Sequence, residues 1–325
     1  MFTKIFKSDY IYQLSFIMIA VIVIWIHSFF SLTSLTVFPT LSPFYSLIGN
    51  SFLTNNILAV TIAFILLIIQ SIMLNMAFSA NEMFNRNNYL ITFIYFLMMS
   101  SSTELYTIHP VLFSSLFLIF SLRNILGIYG KADSFSSVFN ATLLIGISSL
   151  FYFPSIYFIV FIWLSFFIYR LYAWREWVIS VLGLGTPYLY LFSYYFVTNQ
   201  LKVKFFSYIG FFKSFHPAIF HPDKGNYIFF TIVGLMSVYI VFNTLNRLTE
   251  KSIYYRKKVL VLTMFLLVAF FTLIFSGAFF TYHLCLVFIP LSFFIPIHII
   301  QIKRLVISEM FFIILITAWL LNIIL

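Results

Sequence analysis

Between Asn87 and Thr186, apolar runs alternate with very short polar turns, in the order helix, tight turn, helix, basic turn, repeated. The same rhythm extends along the chain. Crossing a bilayer takes about 20 mainly apolar residues, fewer where neighbours shield the segment. On that measure there are eleven candidate spans, near 11–30, 56–79, 88–102, 108–128, 137–152, 154–170, 177–198, 226–245, 259–278, 282–301 and 305–325. The third and fifth are short, so they are expected to be tilted or packed inside the bundle. The pattern predicts an all-α, polytopic helical membrane protein of about 11 transmembrane helices. Residues 1–325 read as a single transmembrane domain, with no soluble domain, fixed repeat or low-complexity linker.

Composition removes the soluble alternative. Of the 325 residues 63% are hydrophobic and only 8% charged, with a mean hydropathy of +1.07. A soluble domain carries about a quarter charged residues. Phenylalanine alone contributes 46 residues, whereas glycine and alanine are scarce. Bulky aromatic packing is therefore expected to replace close small-residue helix contacts. The heavy use of Phe, Ile, Asn and Lys suggests an AT-rich bacterial genome.

The net charge of +10 would suit a nucleic-acid binder, but the basic residues sit between spans, where they set orientation. Fourteen of the 18 fall in alternate loops, from Lys4 and Lys7 through Arg123, Arg170 and Arg175 to Lys257, Lys258 and Arg304. The other four, Lys202, Lys204, Lys213 and Lys224, share one long loop. This split predicts a cytoplasmic N-terminus and an outer C-terminus, with no nucleic-acid partner. Lys4 and Lys7 precede an apolar run as in a signal peptide. No small-residue cleavage site follows His27, so the run is expected to remain as the first span.

Two outer segments stand out. Residues 31–55 carry no charge, and Pro39 and Pro43 interrupt regular structure, which suits a re-entrant or interfacial segment. Residues 199–225 mix Lys with Phe, as an interfacial amphipathic element does. The basic loop from Asn246 to Lys258 suits anionic lipid or topology control.

The predicted topology sorts the polar residues. His27, His109, His216, His221 and His283 fall on the outer side with Glu104 and Asp223, and only His298 falls inside. Such a set suits a phosphate head group and one base. Glu104 and His109 flank the turn STELYTIHP and are the candidate catalytic pair; an acid drawn toward hydrocarbon is costly and usually has a partner or a role. His216, His221, Lys213 and His283 are the candidate head-group ligands. For each isolated histidine the competing explanation is an ordinary solvated or hydrogen-bonded side chain. The inner acids, Glu82, Asp133, Glu176, Glu250 and Glu309, read as interfacial ion pairs, as in Arg175–Glu176 and Arg304–Glu309. The one cysteine, Cys285, excludes an internal disulfide, and no histidine pair has metal-site spacing. No metal or cofactor is expected. Walker, GxSxG, HExxH and dinucleotide fingerprints are missing.

The stretch from Phe139 to Tyr190 and the SSSTELYTIHP turn resemble an uncharacterised family of integral membrane proteins of Bacteroidota, which implies a bacterial inner membrane and no known activity. The paired short spans, then ATLLIGISSLFYFPSIYFIVFIWLSFFIY, are similar in layout to polyprenyl-phosphate-sugar glycosyltransferases of the membrane-embedded GT-C type. That layout implies sugar transfer on the outer side from a polyprenyl-phosphate-linked sugar, with an acidic residue in the first outer loop. Residues 31–55 hold neither Asp nor Glu, so the resemblance passes the base role to Glu104, with His109 and loop lysines on the phosphate. Three functions follow: a GT-C-like transferase or degenerate relative in envelope biogenesis, a non-enzymatic subunit of an inner-membrane complex, and a flippase or carrier of lipid-linked sugars. Membrane lipids are partners in all three.

Overall fold

The computed structural model describes residues 10–30, 42–52, 56–84, 89–130, 134–213, 224–274, 280–302 and 304–324. Among these the chain is all-helical, without strands. The helices are α1 (Tyr10–Phe30), α2 (Pro43–Phe52), α3 (Asn56–Ala80), α4 (Leu90–Met99), α5 (Pro110–Leu126), α6 (Phe135–Phe151) and α7 (Ile159–Tyr169). They continue as α8 (Trp174–Val197), α9 (Leu201–Lys213), α10 (Lys224–Asn246), α11 (Ile253–Leu273), α12 (Phe280–Gln301) and α13 (Leu305–Ile324). Short 3-10 turns at Thr103–Tyr106, Phe153–Phe158 and Arg247–Glu250 join neighbours. Among the described residues, three stretches are long and apolar enough to cross a membrane: Ile57–Ala80, Gly225–Glu250 and Phe280–Gln301.

Local sequence sets several boundaries. His109 caps α5, its Nδ1 accepting from the Leu112 amide at 3.2 Å, and Pro110 takes the first helical position, where no amide is needed. Pro43 likewise opens α2 inside the segment expected to be irregular. Helix α7 stops at Arg170, whose backbone is left-handed (φ 61°) and whose amide closes on the last turn.

The short third run is an internal helix: all ten residues of α4 are buried. Helix α12 is also sunk in the bundle, although Pro290 and Pro296 interrupt its backbone ladder. Around this centre the outward faces of α1, α3, α8, α10 and α13 expose large aliphatic residues, including Ile22, Ile65, Leu182, Leu235 and Met310. A coat of this kind suits hydrocarbon surroundings.

Aromatic packing fills the core as composition suggests, with Phe158 and Phe161 both against Phe265 and Phe78 against Phe293. One interface departs from that expectation. Helices α6 and α8 run side by side in the same direction, and two glycines let them touch. A methyl group added at Gly183 would lie 2.8 Å from the Phe139 carbonyl oxygen; at Gly146 it would lie 2.8 Å from that of Leu184. Scarce glycine therefore still makes a close helix contact where a parallel pair needs one.

Side-chain bonds sort helix ends into two groups. Asn81 with Lys258, Ser134 with Glu176, and Asn243 with His298 mark one end. Trp25, Trp319 and Tyr106 with Ser100, Asn322 with Ser101, and Tyr45 with Ile108 mark the other. On the orientation expected from the lysines and arginines, the first group would be cytoplasmic and the second outer.

Candidate functional site

Helices α2 and α9 dock on one aromatic cluster. Leu150, Phe153, Leu191, Tyr195 and Tyr208 are buried together, with Phe44 and Tyr188 packed against them. Tyr45 fixes α2 by donating to the Ile108 carbonyl at 3.1 Å, and Phe44 lies edge-on to Phe151 at 5.5 Å. Tyr208 of α9 sits 5.2 Å from Phe153. Burial lifts the Tyr208 phenol well above its ordinary range, with smaller contributions from Tyr195 and Tyr188, so it stays neutral.

Beside this cluster a cavity of about 460 Å³ opens between α2, the second half of α8 and the start of α9. Pro43, Leu47, Pro187 and Leu191 give it an apolar body; Tyr190, Tyr194, Tyr195, Gln200 and Lys204 give it a polar rim. Tyr190 and Tyr194 are exposed and Lys204 is half-buried, so the rim is open. An apolar cleft with a few convergent polar groups is the usual form of a small-molecule site. Phenols, an amide and one ammonium recognise hydroxyl and phosphate oxygens. The described lining holds no carboxylate, imidazole or thiol.

The candidate catalytic pair is split by burial. Glu104 is exposed on the Thr103–Tyr106 turn, whereas His109 is fully buried, its ring 5.0 Å from Tyr282. The Nε2 of His109 has no hydrogen-bond partner, so the two side chains are not bonded to each other. His283 is also fully buried. Its Nδ1 lies 2.8 Å from the Tyr152 hydroxyl and its Nε2 2.8 Å from Thr272 Oγ1. Thr272 in turn donates to the Ala269 carbonyl at 2.9 Å. With that proton committed, His283 donates from Nε2 and accepts from Tyr152, which is a satisfied neutral network with no ring nitrogen left for a head group. His216 and His221 lie outside the described residues. Lys213 ends α9 and His27 lies in α1, and the side chains of both lie outside the described atoms. Among the described residues no group of three His, Cys, Asp or Glu is placed to hold a metal ion.

Two residues at the opposite helix ends differ from their sequence reading. Glu176 is buried; its Oε1 accepts from Ser134 at 3.3 Å and its Oε2 has no partner, so it is not the other half of an Arg175 ion pair. Lys258 is fully buried at the start of α11, donating to the Asn81 carbonyl at 2.9 Å and side-chain oxygen at 3.0 Å, with its ammonium 3.7 Å above the Tyr254 ring. It locks α11 to the end of α3. No sequence motif marked it, because a lysine beside Arg256 and Lys257 reads as one more loop cation. The cavity tyrosines were equally hidden, since they look like an aromatic belt.

Compared with family models, curated proteins and solved structures, the chain matches none.

Proposed function

We propose that this chain is a polytopic protein of a bacterial inner membrane that holds an anionic amphiphile at its outer end, in a binding rather than a catalytic role. The ligand class is a lipid phosphate carrying a polar cargo such as a sugar, in cell-envelope biogenesis. The observation that carries this reading is the cavity between α2, α8 and α9, with its apolar body, tyrosine rim and one half-buried lysine. Acyl or prenyl carbons suit the apolar body. Lys204 suits the phosphate, and phenol and amide groups suit the hydroxyls.

Eleven crossings with opposite-sided termini are part of the proposal. Supporting them, the bonded helix ends fall into two groups in the order alternating crossings require, with α2 and α9 both at the outer end. The transferase reading takes second place. It rests on Glu104, which is exposed on the Thr103–Tyr106 turn and does not line the cavity.

The test is purification from native membranes in mild detergent, with mass spectrometry of retained proteins and lipids. A phosphate-bearing lipid retained by the wild type and depleted in Lys204→Glu supports the reading, and Glu104→Gln is expected to leave retention unchanged. Stoichiometric protein partners without such a lipid would make the chain a subunit of an assembly instead.

A further inference from the structure

A second outer-end feature, independent of the cavity, is the junction where α4 breaks. Helix α4 ends at Met99, and the chain turns through Ser100, Ser101 and Ser102 into the Thr103–Tyr106 turn. The carboxyl end of α13 meets this break: Trp319 donates to the Ser100 carbonyl at 2.7 Å, and the Asn322 amide donates to the Ser101 carbonyl. The start of α10 closes on the same place. A methyl group at Gly225 would lie 2.8 Å from the Asn322 carbonyl oxygen and 2.9 Å from its Oδ1, and Asn226 is the next residue.

At the α4 break Ser101 Oγ and Ser102 Oγ are buried without a hydrogen-bond partner, and so is Asn226 Oδ1 at the start of α10. Their residues are 1%, 3% and 8% exposed. A buried polar atom left unbonded costs about 1–3 kcal/mol, which favours a bound water or ion at such atoms. The local field favours a cation. The last carbonyls of a helix have no intrahelical partner, and that end carries about half a negative charge. Here two such ends, those of α4 and α13, converge. Neutral oxygens at broken or ending helices, at membrane depth, replace the water of a small hard cation.

We propose that this junction binds one monovalent alkali cation, held by Ser101, Ser102 and Asn226 between the ends of α4 and α13. The ion ties α10 and α13 to the α4 break. The junction thus closes around a bound charge, and Glu104 stands two residues beyond Ser102.

The test is thermal unfolding of the full-length protein in detergent at constant ionic strength, exchanging choline chloride for NaCl or KCl. The expected result is a saturable rise in Tm of several degrees with Na⁺ or K⁺ but not choline. Ser102→Ala and Asn226→Ala are expected to raise the half-saturating concentration by at least about fivefold. If a variant does not fold, direct binding of radiolabelled Na⁺ or Rb⁺ to the wild type decides, with about one site per chain expected. Identical unfolding in all three salts without ion binding would overturn the proposal and leave the junction to ordered water. A salt response that the variants do not alter would place any ion elsewhere and overturn it equally.

Discussion

Ser100 ties four segments together. Its hydroxyl accepts from Trp25 of α1 at 2.8 Å, and its carbonyl accepts from Trp319 of α13 at 2.7 Å and from Tyr106 at 3.0 Å, while its own amide closes α4. Trp25 also stands edge-on to Tyr106, 5.0 Å away. Hydrogen bonds in a membrane interior average about 0.6 kcal/mol and reach about 1.7 kcal/mol, because the unfolded segments find other partners there. Trp319→Phe keeps most of the ring and removes the donor. It is expected to lower the unfolding free energy by about 1 kcal/mol, measured by denaturation in mixed micelles. Ser100→Ala should cost a similar amount through Trp25 alone, because the carbonyl bonds remain. The sequence did single out the SSSTELYTIHP turn, and that turn is central. Within it Ser100 and Tyr106 bond to neighbouring segments, which the sequence reading, centred on Glu104 and His109, did not single out. A serine run says nothing of which hydroxyl meets a tryptophan 75 positions earlier, so that part was not legible.

At the scale of elements, hydrophobic runs placed the helices well, because apolar length is a property of the local chain. The buried state of α4 was foreseen from its shortness. The α6–α8 contact was not, because composition counts glycines without saying which helices they separate. Gly183→Ala is expected to push these helices apart and cost about 1–3 kcal/mol, since the added methyl meets the Phe139 carbonyl. Gly234→Ala in α10 is the control: nothing lies within 4 Å of the added methyl, and alanine is the better helix former. It should be neutral or stabilising by up to about 1 kcal/mol in the same assay. The inner lock between α3 and α11 behaves differently from a surface charge. Lys258→Met removes the ammonium and leaves the Asn81 oxygens without their donor. The expected loss is about 1–3 kcal/mol, with Lys251→Met, exposed in its loop, close to zero.

For the whole molecule, the orientation argument rests on lysine and arginine placement, and the structure adds which ends meet. Cys285 is buried, so it contributes little background to thiol labelling. In intact cells, cysteines placed at Ser46 and Gln200 are expected to react with a membrane-impermeant maleimide. A cysteine at Lys251 should react only after the membrane is opened. Labelling of position 251 from outside would invert the topology and move the cavity to the cytoplasmic side. The two segments expected to lie outside contain helices α2 and α9, but their meeting was not legible. A cavity made by residues 43–47 and 187–204 depends on long-range packing that no local pattern encodes.

The central claim is that this cavity holds a phosphate-bearing amphiphile. The most direct measurement is photo-crosslinking in native membranes from position 194, where benzoylphenylalanine replaces the exposed, cavity-lining Tyr194. The account predicts an adduct whose added mass is a phosphate-bearing lipid, weakened when Lys204→Glu is combined with it. An adduct to another protein, or no adduct at all, would contradict it.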